Sequence, residues 1–325
     1  MTPTAYWSRL LKLFLHYRKR AQALRYPPVR LWVELTSLCN YRCIMCPNKS
    51  LKKEDRGFMA YDLYKKIVDE AKGFAFDINL AHRGESLLHP QLPEAILYAK
   101  KSGLFTRLHT NGSLLTEELS QKIIQSGLDR VSFSFDGFDK QTYERIREGG
   151  DFDGTMHAIV RFLEIKKRLG AKHPITAIEV IDFDARTEES LEREKKRFLK
   201  SFENLRLDHF VVKKAHNWAG QLGHEAPRKR YTVCPFPWNA LIITWDGSVL
   251  PCTQDFFGAY ILGNASEKRL LDIWNGKEMQ ALRRKLAEGD IQNLKACSKC
   301  DRVWRDSFLG VPKEYLWKFV TKRMP

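Results

Sequence analysis

The 325-residue chain has no apolar stretch approaching the ~20 residues that a membrane-spanning helix needs, so no segment reads as a span. It has no internal repeat and no low-complexity tract. No nucleic-acid-binding motif is visible, and no nucleic-acid partner is expected. The first hydrophobic run, residues 10–15, is interrupted by Lys12 and lacks a cleavage site. It does not read as a signal peptide, and a reducing cytoplasm is the expected compartment. Seven cysteines are too few for a disulfide scaffold in a chain this long, and they are bunched rather than spread. Acid is scarce relative to base: 39 Asp and Glu face 55 Lys and Arg, a net charge of +16. Such an excess suits an acidic substrate, an acidic electron donor, nucleic acid or an anionic membrane, the plainer alternative being a solvated basic surface.

What is present is a chain long enough for one large domain and a small one, with an ordinary hydrophobic content of 43%. Residues 1–28 read as a basic amphipathic N-terminal helix ending at Pro27-Pro28, which either packs on the body of the protein or lies on a membrane surface. A strand–helix rhythm then begins. Strands are expected at 29–35, 76–80, 105–109, 131–135, 175–181 and 210–213. Helices are expected at 61–73, 93–102, 116–126, 153–169 and 188–202, with Thr116 as an N-cap. Six strands alternating with helices imply an α/β fold with a parallel sheet, whose ligand sites lie beyond the carboxyl ends of the strands. A core domain is expected over 29–220 and a cysteine-rich domain with the C-terminal tail over 221–325.

Cys39, Cys43 and Cys46 follow the first strand at C-x3-C-x2-C spacing. Three thiolates can hold three irons of a [4Fe–4S] cube and leave the fourth open to a small molecule. A zinc site is the alternative, but zinc prefers four ligands. The spacing resembles the signature of the radical S-adenosylmethionine (SAM) superfamily. That resemblance implies a partial (β/α)6 barrel, SAM chelated on the open iron, and reductive cleavage of SAM to a 5′-deoxyadenosyl radical that abstracts a substrate hydrogen. It also implies an electron donor of flavodoxin or ferredoxin type. Arg83-Gly84-Glu85-Ser86 resembles the glycine–glutamate motif that receives the SAM amino group, Gly84 allowing close approach and Glu85 pairing with the ammonium. Asn111, in Thr110-Asn111-Gly112, and Ser134 and Asp136, in Ser134-Phe135-Asp136-Gly137, look like positions lining the SAM ribose and carboxylate. Arg147 resembles an arginine on that carboxylate, and Met45 occupies a position near adenine.

Cys234, Cys252, Cys297 and Cys300 form a second set, the last two as CxxC. Asp246-Gly247 between apolar runs signals a β-hairpin that presents Cys252. On spacing alone a four-cysteine zinc knuckle remains open. The wider pattern resembles the SPASM/twitch extension of radical SAM enzymes, a small β-hairpin/helix domain that binds auxiliary [4Fe–4S] clusters. It implies one auxiliary cluster here, fully ligated by the four cysteines. The economy of cysteines resembles radical SAM dehydrogenases of aminocyclitols or sugars. The function expected is therefore redox modification of such a small molecule, with electron transfer to the auxiliary cluster. The alternatives are maturation of a peptide or protein side chain and a non-catalytic redox scaffold. Asp255, three residues after Cys252, is the candidate base. Lys213, Lys214 and His216 suit an anionic substrate group.

Overall fold

The computed structural model describes residues 3–183, 186–222, 230–308 and 310–313. After helix α1 (Pro3–Arg18), six strands and their crossover helices follow one another in chain order. These are β1 (Arg30–Val33), α2 (Tyr61–Ala71), β2 (Asp77–Asn79), α3 (Leu92–Lys101), β3 (Phe105–Thr110), α4 (Glu117–Gln125) and β4 (Arg130–Ser134). Then come α5 (Lys140–Ile146), α6 (Phe152–Arg168), β5 (Ile175–Asp182), α7 (Glu188–Leu199) and β6 (His209–Lys214). Every neighbouring pair from β1 to β6 is parallel and sequential, the order of a (β/α)6 partial barrel. The expected α/β core is therefore observed, with element ends shifted by a few residues.

Local chemistry explains the helix starts. Thr116 accepts from the Leu119 amide, Asp139 from Thr142 and Thr187 from Ser190, each satisfying a donor that a helix start leaves free. Helix α5, absent from the sequence expectation, begins at the Asp139 cap. The strands alternate, one face apolar and the other carrying Arg30, Asp77, Asn79, Arg107, His109 and Glu179. Leu31, Val33, Ile78, Phe133, Ile178 and Val180 are all fully buried.

After Cys234 a short helix, α8 (Phe236–Asn239), leads into β7 (Ala240–Ile243), which pairs parallel with β1 on its free side. β8 (Ser248–Leu250) and β9 (Gly263–Asn264) follow antiparallel, so the hairpin expected around Asp246-Gly247 is present. The nine strands form one sheet in the order β6-β5-β4-β3-β2-β1-β7-β8-β9. The expected domain boundary falls largely on residues 223–229, outside the described residues, but the sheet is continuous across it. α9 (Leu270–Trp274) and α10 (Lys277–Glu288) complete the C-terminal part.

The N-terminal segment packs on the body. The Tyr17 hydroxyl donates to the Val233 carbonyl at 2.6 Å, Trp238 Nε1 to Ala21, and Arg283 Nη1 to Gln22. No helix among the described residues is long and apolar enough to cross a membrane.

Candidate active site

The loop that leaves β1 carries Cys39, Cys43 and Cys46, and backbone contacts hold it on two sides. The Arg42 and Ile44 amides donate to the carbonyls of Glu148, just after α5, and Ile146, its last residue. On the other side the Glu85 amide donates to the Leu38 carbonyl at 2.8 Å. A Cβ at Gly84 would collide with the carbonyl oxygens of Thr36 and Leu38, so only glycine allows the post-β2 turn to lie this close to the cysteine loop. Asn48 closes the loop by donating from Nδ2 to the carbonyls of Ser37 and Arg83, both at 2.8 Å.

A buried ion pair braces this arrangement. Arg83 Nε and Nη2 each lie 2.7 Å from a Glu34 oxygen. Glu34 also accepts from the Arg83 amide at 3.1 Å and from the Trp245 amide at 3.3 Å. Trp245 sits in the β7–β8 turn. Arg83, the first residue of the expected motif, thus ties the cysteine loop, the glycine–glutamate turn and the C-terminal hairpin together.

The cysteine loop opens into a cavity of about 1020 Å³ beyond the carboxyl ends of the parallel strands. Met45, Gly84, Glu85, Asn111, Ser134, Asp136 and Arg147 all line it with the three cysteines. Glu85 is buried. Its Oε1 accepts from the Leu87 amide at 3.0 Å and the Thr110 hydroxyl at 2.7 Å, and its Oε2 from the Asn111 amide at 2.7 Å. Burial pushes its carboxyl upward against these bonds. Asp136 Oδ2 accepts from Arg147 Nη2 at 2.6 Å while its Oδ1 accepts from the Ile181 amide. Arg147 Nη1 lies 4.0 Å from Cys43 Sγ, and the buried Arg147 Nε has no hydrogen-bond partner. Burial alone would weaken the guanidinium, but Asp136 and Cys43 outweigh it and hold the charge.

The thiols act on one another within each cysteine set, Cys43 and Cys300 being buried and the other five partly so. Burial, with Glu85 and then the other two thiols adding to it, pushes Cys39 up to about 12, and burial with Cys43 pushes Cys46 up to about 11. In the second set, burial and the fields of Cys234, Cys297, Cys300 and Asp255 raise Cys252. Burial and Cys234 are the leading influences that push Cys300 up to about 12. All seven cysteines are free thiols. Thiols gathered in threes and fours are the ligand sets that a multi-iron cluster uses. Among the described residues no three His, Cys, Asp or Glu side chains come together to hold a single metal ion. The first set has three sulfurs, an adjoining guanidinium with an unused Nε–H, and open cavity beside it. This fits a cube with one iron left for a carboxylate-bearing ligand.

The cavity has further walls, in which Lys213 and His216 were expected to face substrate and His109, Glu179 and the residues after the last CxxC were not. His109 and Glu179, in the carboxyl halves of β3 and β5, face each other at 3.7 Å, and Lys213 pairs with the same Glu179 oxygen at 2.6 Å. Burial alone would raise the Glu179 carboxyl, but His109 and Lys213 pull it far below the usual range. A glutamate inside the apolar run of β5 was the available signal. His216 and Trp218, just past β6, form another wall with Arg302, Trp304 and Arg305, just past the last CxxC. Asn217 stitches these walls together: its amide donates to Asp301 Oδ2 at 3.0 Å and its Nδ2 to the Lys299 carbonyl at 2.7 Å. Burial, then Arg302, pushes His216 down to about 4, so its imidazole is neutral. The side chain of Lys214 lies outside the described residues.

Asp255 is placed elsewhere. It does not line the cavity, and its two oxygens accept from the Ala259 and Tyr260 amides at 2.7 and 2.9 Å. It caps the turn after Cys252, and the expectation that it faces substrate as a base is corrected accordingly.

Residues 33–191 match the sequence model of the radical SAM superfamily, and residues 234–301 match that of an iron–sulfur cluster-binding domain, SPASM. The tungsten-containing aldehyde ferredoxin oxidoreductase cofactor-modifying protein of Pyrococcus furiosus is 29% identical over 297 residues, covering 76% of this chain and 81% of that protein. The S-adenosyl-L-methionine-dependent 2-deoxy-scyllo-inosamine dehydrogenase of Niallia circulans is 26% identical over 277 residues, covering 83% and 92%. Among solved structures, BtrN in complex with AdoMet and 2-DOIA superposes with a TM-score of 0.58 at 22% identity, covering 85% of this chain and 93% of that one. Streptococcus suis SuiB bound to precursor peptide SuiA gives 0.64 at 16% identity, covering 95% and 78%. At these identities the superpositions speak for the fold.

Proposed function

We propose, for a chain that belongs to the radical SAM superfamily and carries a SPASM iron–sulfur domain, the oxidation of a small polar metabolite of the sugar or aminocyclitol type. Its cofactors are SAM and [4Fe–4S] clusters. We assign Cys39, Cys43 and Cys46 to the SAM-binding cluster and Cys234, Cys252, Cys297 and Cys300 to the auxiliary one. Bound there, these groups supply a 5′-deoxyadenosyl radical as hydrogen-atom acceptor and an auxiliary one-electron acceptor.

The chain's own residues do the rest. Glu85, held rigid by three donors, receives the SAM ammonium. Arg147, oriented by Asp136, offers its unused Nε–H to the SAM carboxylate and keeps positive charge beside Cys43. Asn111 and Ser134 line the ribose, and Met45 lines the adenine. Substrate occupies the remaining cavity between the strand ends and the Asp301–Asp306 wall. His216 takes the hydroxyl proton in place of Asp255, because its imidazole faces the cavity. Removing one hydrogen atom from a carbinol carbon, one proton from its oxygen and one electron leaves a ketone.

One observation carries this reading: residues of the first cysteine loop and residues directly after the last CxxC line the same cavity. A substrate there sits between the first cysteine loop and the segment that directly follows Cys300. The homologous aminocyclitol dehydrogenase supports the substrate class. The cavity is at the upper end of the usual ~300–1,000 Å³ for small-ligand sites, which favours a peptide side chain as the second reading.

The test is anaerobic turnover of reconstituted protein with SAM, dithionite and a panel of polyols, aminocyclitols and sugar phosphates deuterated at carbinol carbons. Deuterium transfer into 5′-deoxyadenosine together with a ketone product supports the proposal. Peptide oxidation, with no member of the panel consumed, replaces it with the second reading.

A further inference from the structure

Helix α1 has two unlike faces. On the inner one Leu10 and Tyr17 are buried, and Arg9 Nη1 donates to the Phe74 carbonyl at 2.8 Å. On the outer one Trp7, Leu11 and Leu15 stand 40%, 54% and 45% exposed. Their i, i+4, i+8 spacing makes one stripe along the helix. Lys12, Arg18 and Lys19 are exposed around it. The first 28 residues contain six Lys and Arg and no Asp or Glu, so they supply six of the sixteen net positive charges.

We infer that this outer face is a docking surface for an anionic phospholipid bilayer, against which α1 lies flat. Charge argues for the occupant: the face is cationic without a single carboxylate, and anionic lipid is its complement. Residue type argues for it too. One tryptophan and two leucines framed by lysine and arginine are what an interfacial helix presents. The helix is already folded and anchored through its inner face, so binding requires no folding of the segment. Its 16 residues extend roughly 24 Å at 1.5 Å per residue, and it is too basic to cross a membrane, so the contact is in-plane. This inference is independent of the proposed reaction.

The test uses full-length reconstituted protein and sucrose-loaded vesicles, either pure phosphatidylcholine or an equal mixture with phosphatidylglycerol. The protein is expected to sediment with the mixed vesicles and to stay in solution with the neutral ones. Leu11→Ser/Leu15→Ser and Lys12→Gln/Lys19→Gln are each expected to lower the bound-to-free ratio at least tenfold. Uncoupled 5′-deoxyadenosine formation should be unchanged in both. Absence of sedimentation with the anionic vesicles overturns the inference, as does wild-type binding by both double variants, which would leave the face for an acidic protein. If the serine variant fails to fold, the glutamine variant decides alone, since it alters only exposed charges.

Discussion

Replacing Arg83 by methionine should strand the Glu34 carboxylate. The glutamate side chain is 0% exposed and the arginine 8%, so neither group is screened by water. Two bonds of 2.7 Å join them. Removing one member of such a buried pair costs about 3–5 kcal/mol, mostly as the penalty of an uncompensated charge. A chain of 325 residues has an unfolding entropy of about 0.7 kcal/mol/K at ~2.1 cal/mol/K per residue, so the melting temperature should fall by about 4–7 °C. Glu34→Gln in the same background removes the stranded charge yet keeps an oxygen for the Trp245 amide. The double variant should therefore recover at least ~2 kcal/mol of the loss, a coupling that adjacent partners show and distant ones do not. Scanning calorimetry of the anaerobic proteins in one buffer measures both effects. A shift below about 1 °C in Arg83→Met, or a double variant no more stable than the single, would refute the claim that this pair braces the site.

Other expectations follow from the same geometry. Gly84→Ala places a Cβ against the carbonyls of Thr36 and Leu38; SAM should no longer perturb the cluster spectrum, while about four irons remain at the second cysteine set. Arg147→Lys cannot reach Asp136 and the SAM carboxylate together, and SAM affinity should drop about tenfold or more by equilibrium binding, with unchanged affinity counting against the assignment. His216→Gln should slow ketone formation about 10²–10⁴-fold while uncoupled SAM cleavage persists; equal loss of both would instead mean a structural role. His82 is pushed down to about 4 by burial, so below the ordinary histidine value of ~6.5 the unfolded chain takes up a proton that the folded chain refuses. Stability should therefore decline as pH falls from about 6.5 towards 4, more steeply in wild type than in His82→Gln, as followed by denaturant midpoints.

The parallel core was legible because short β-rich segments alternate with amphipathic helices, and β1 to β6 fall close to the expected segments. Motifs that follow strands were legible for the same reason, since chain order fixes which loops share the carboxyl end of the sheet. Glu34 and Arg83 were not legible as a pair, because 49 positions separate them and only the β1–β2 register brings them together. Arg302 and Arg305 gave no signal either, since their place in the cavity depends on how Asn217 ties the last CxxC loop to the end of β6. Asp255 shows how sequence proximity misleads. It is three residues from Cys252, yet the turn directs its carboxylate to the Ala259 and Tyr260 amides.

The central claim is that one cysteine set leaves an iron open and the other leaves none. Metal and sulfide analysis of anaerobic wild-type protein, combined with Mössbauer spectra before and after SAM, tests it most directly. The account predicts about eight irons and eight sulfides per chain, with SAM altering the spectrum of one cluster alone. Zinc in place of iron at either set, or a spectrum that SAM leaves unchanged, would contradict it.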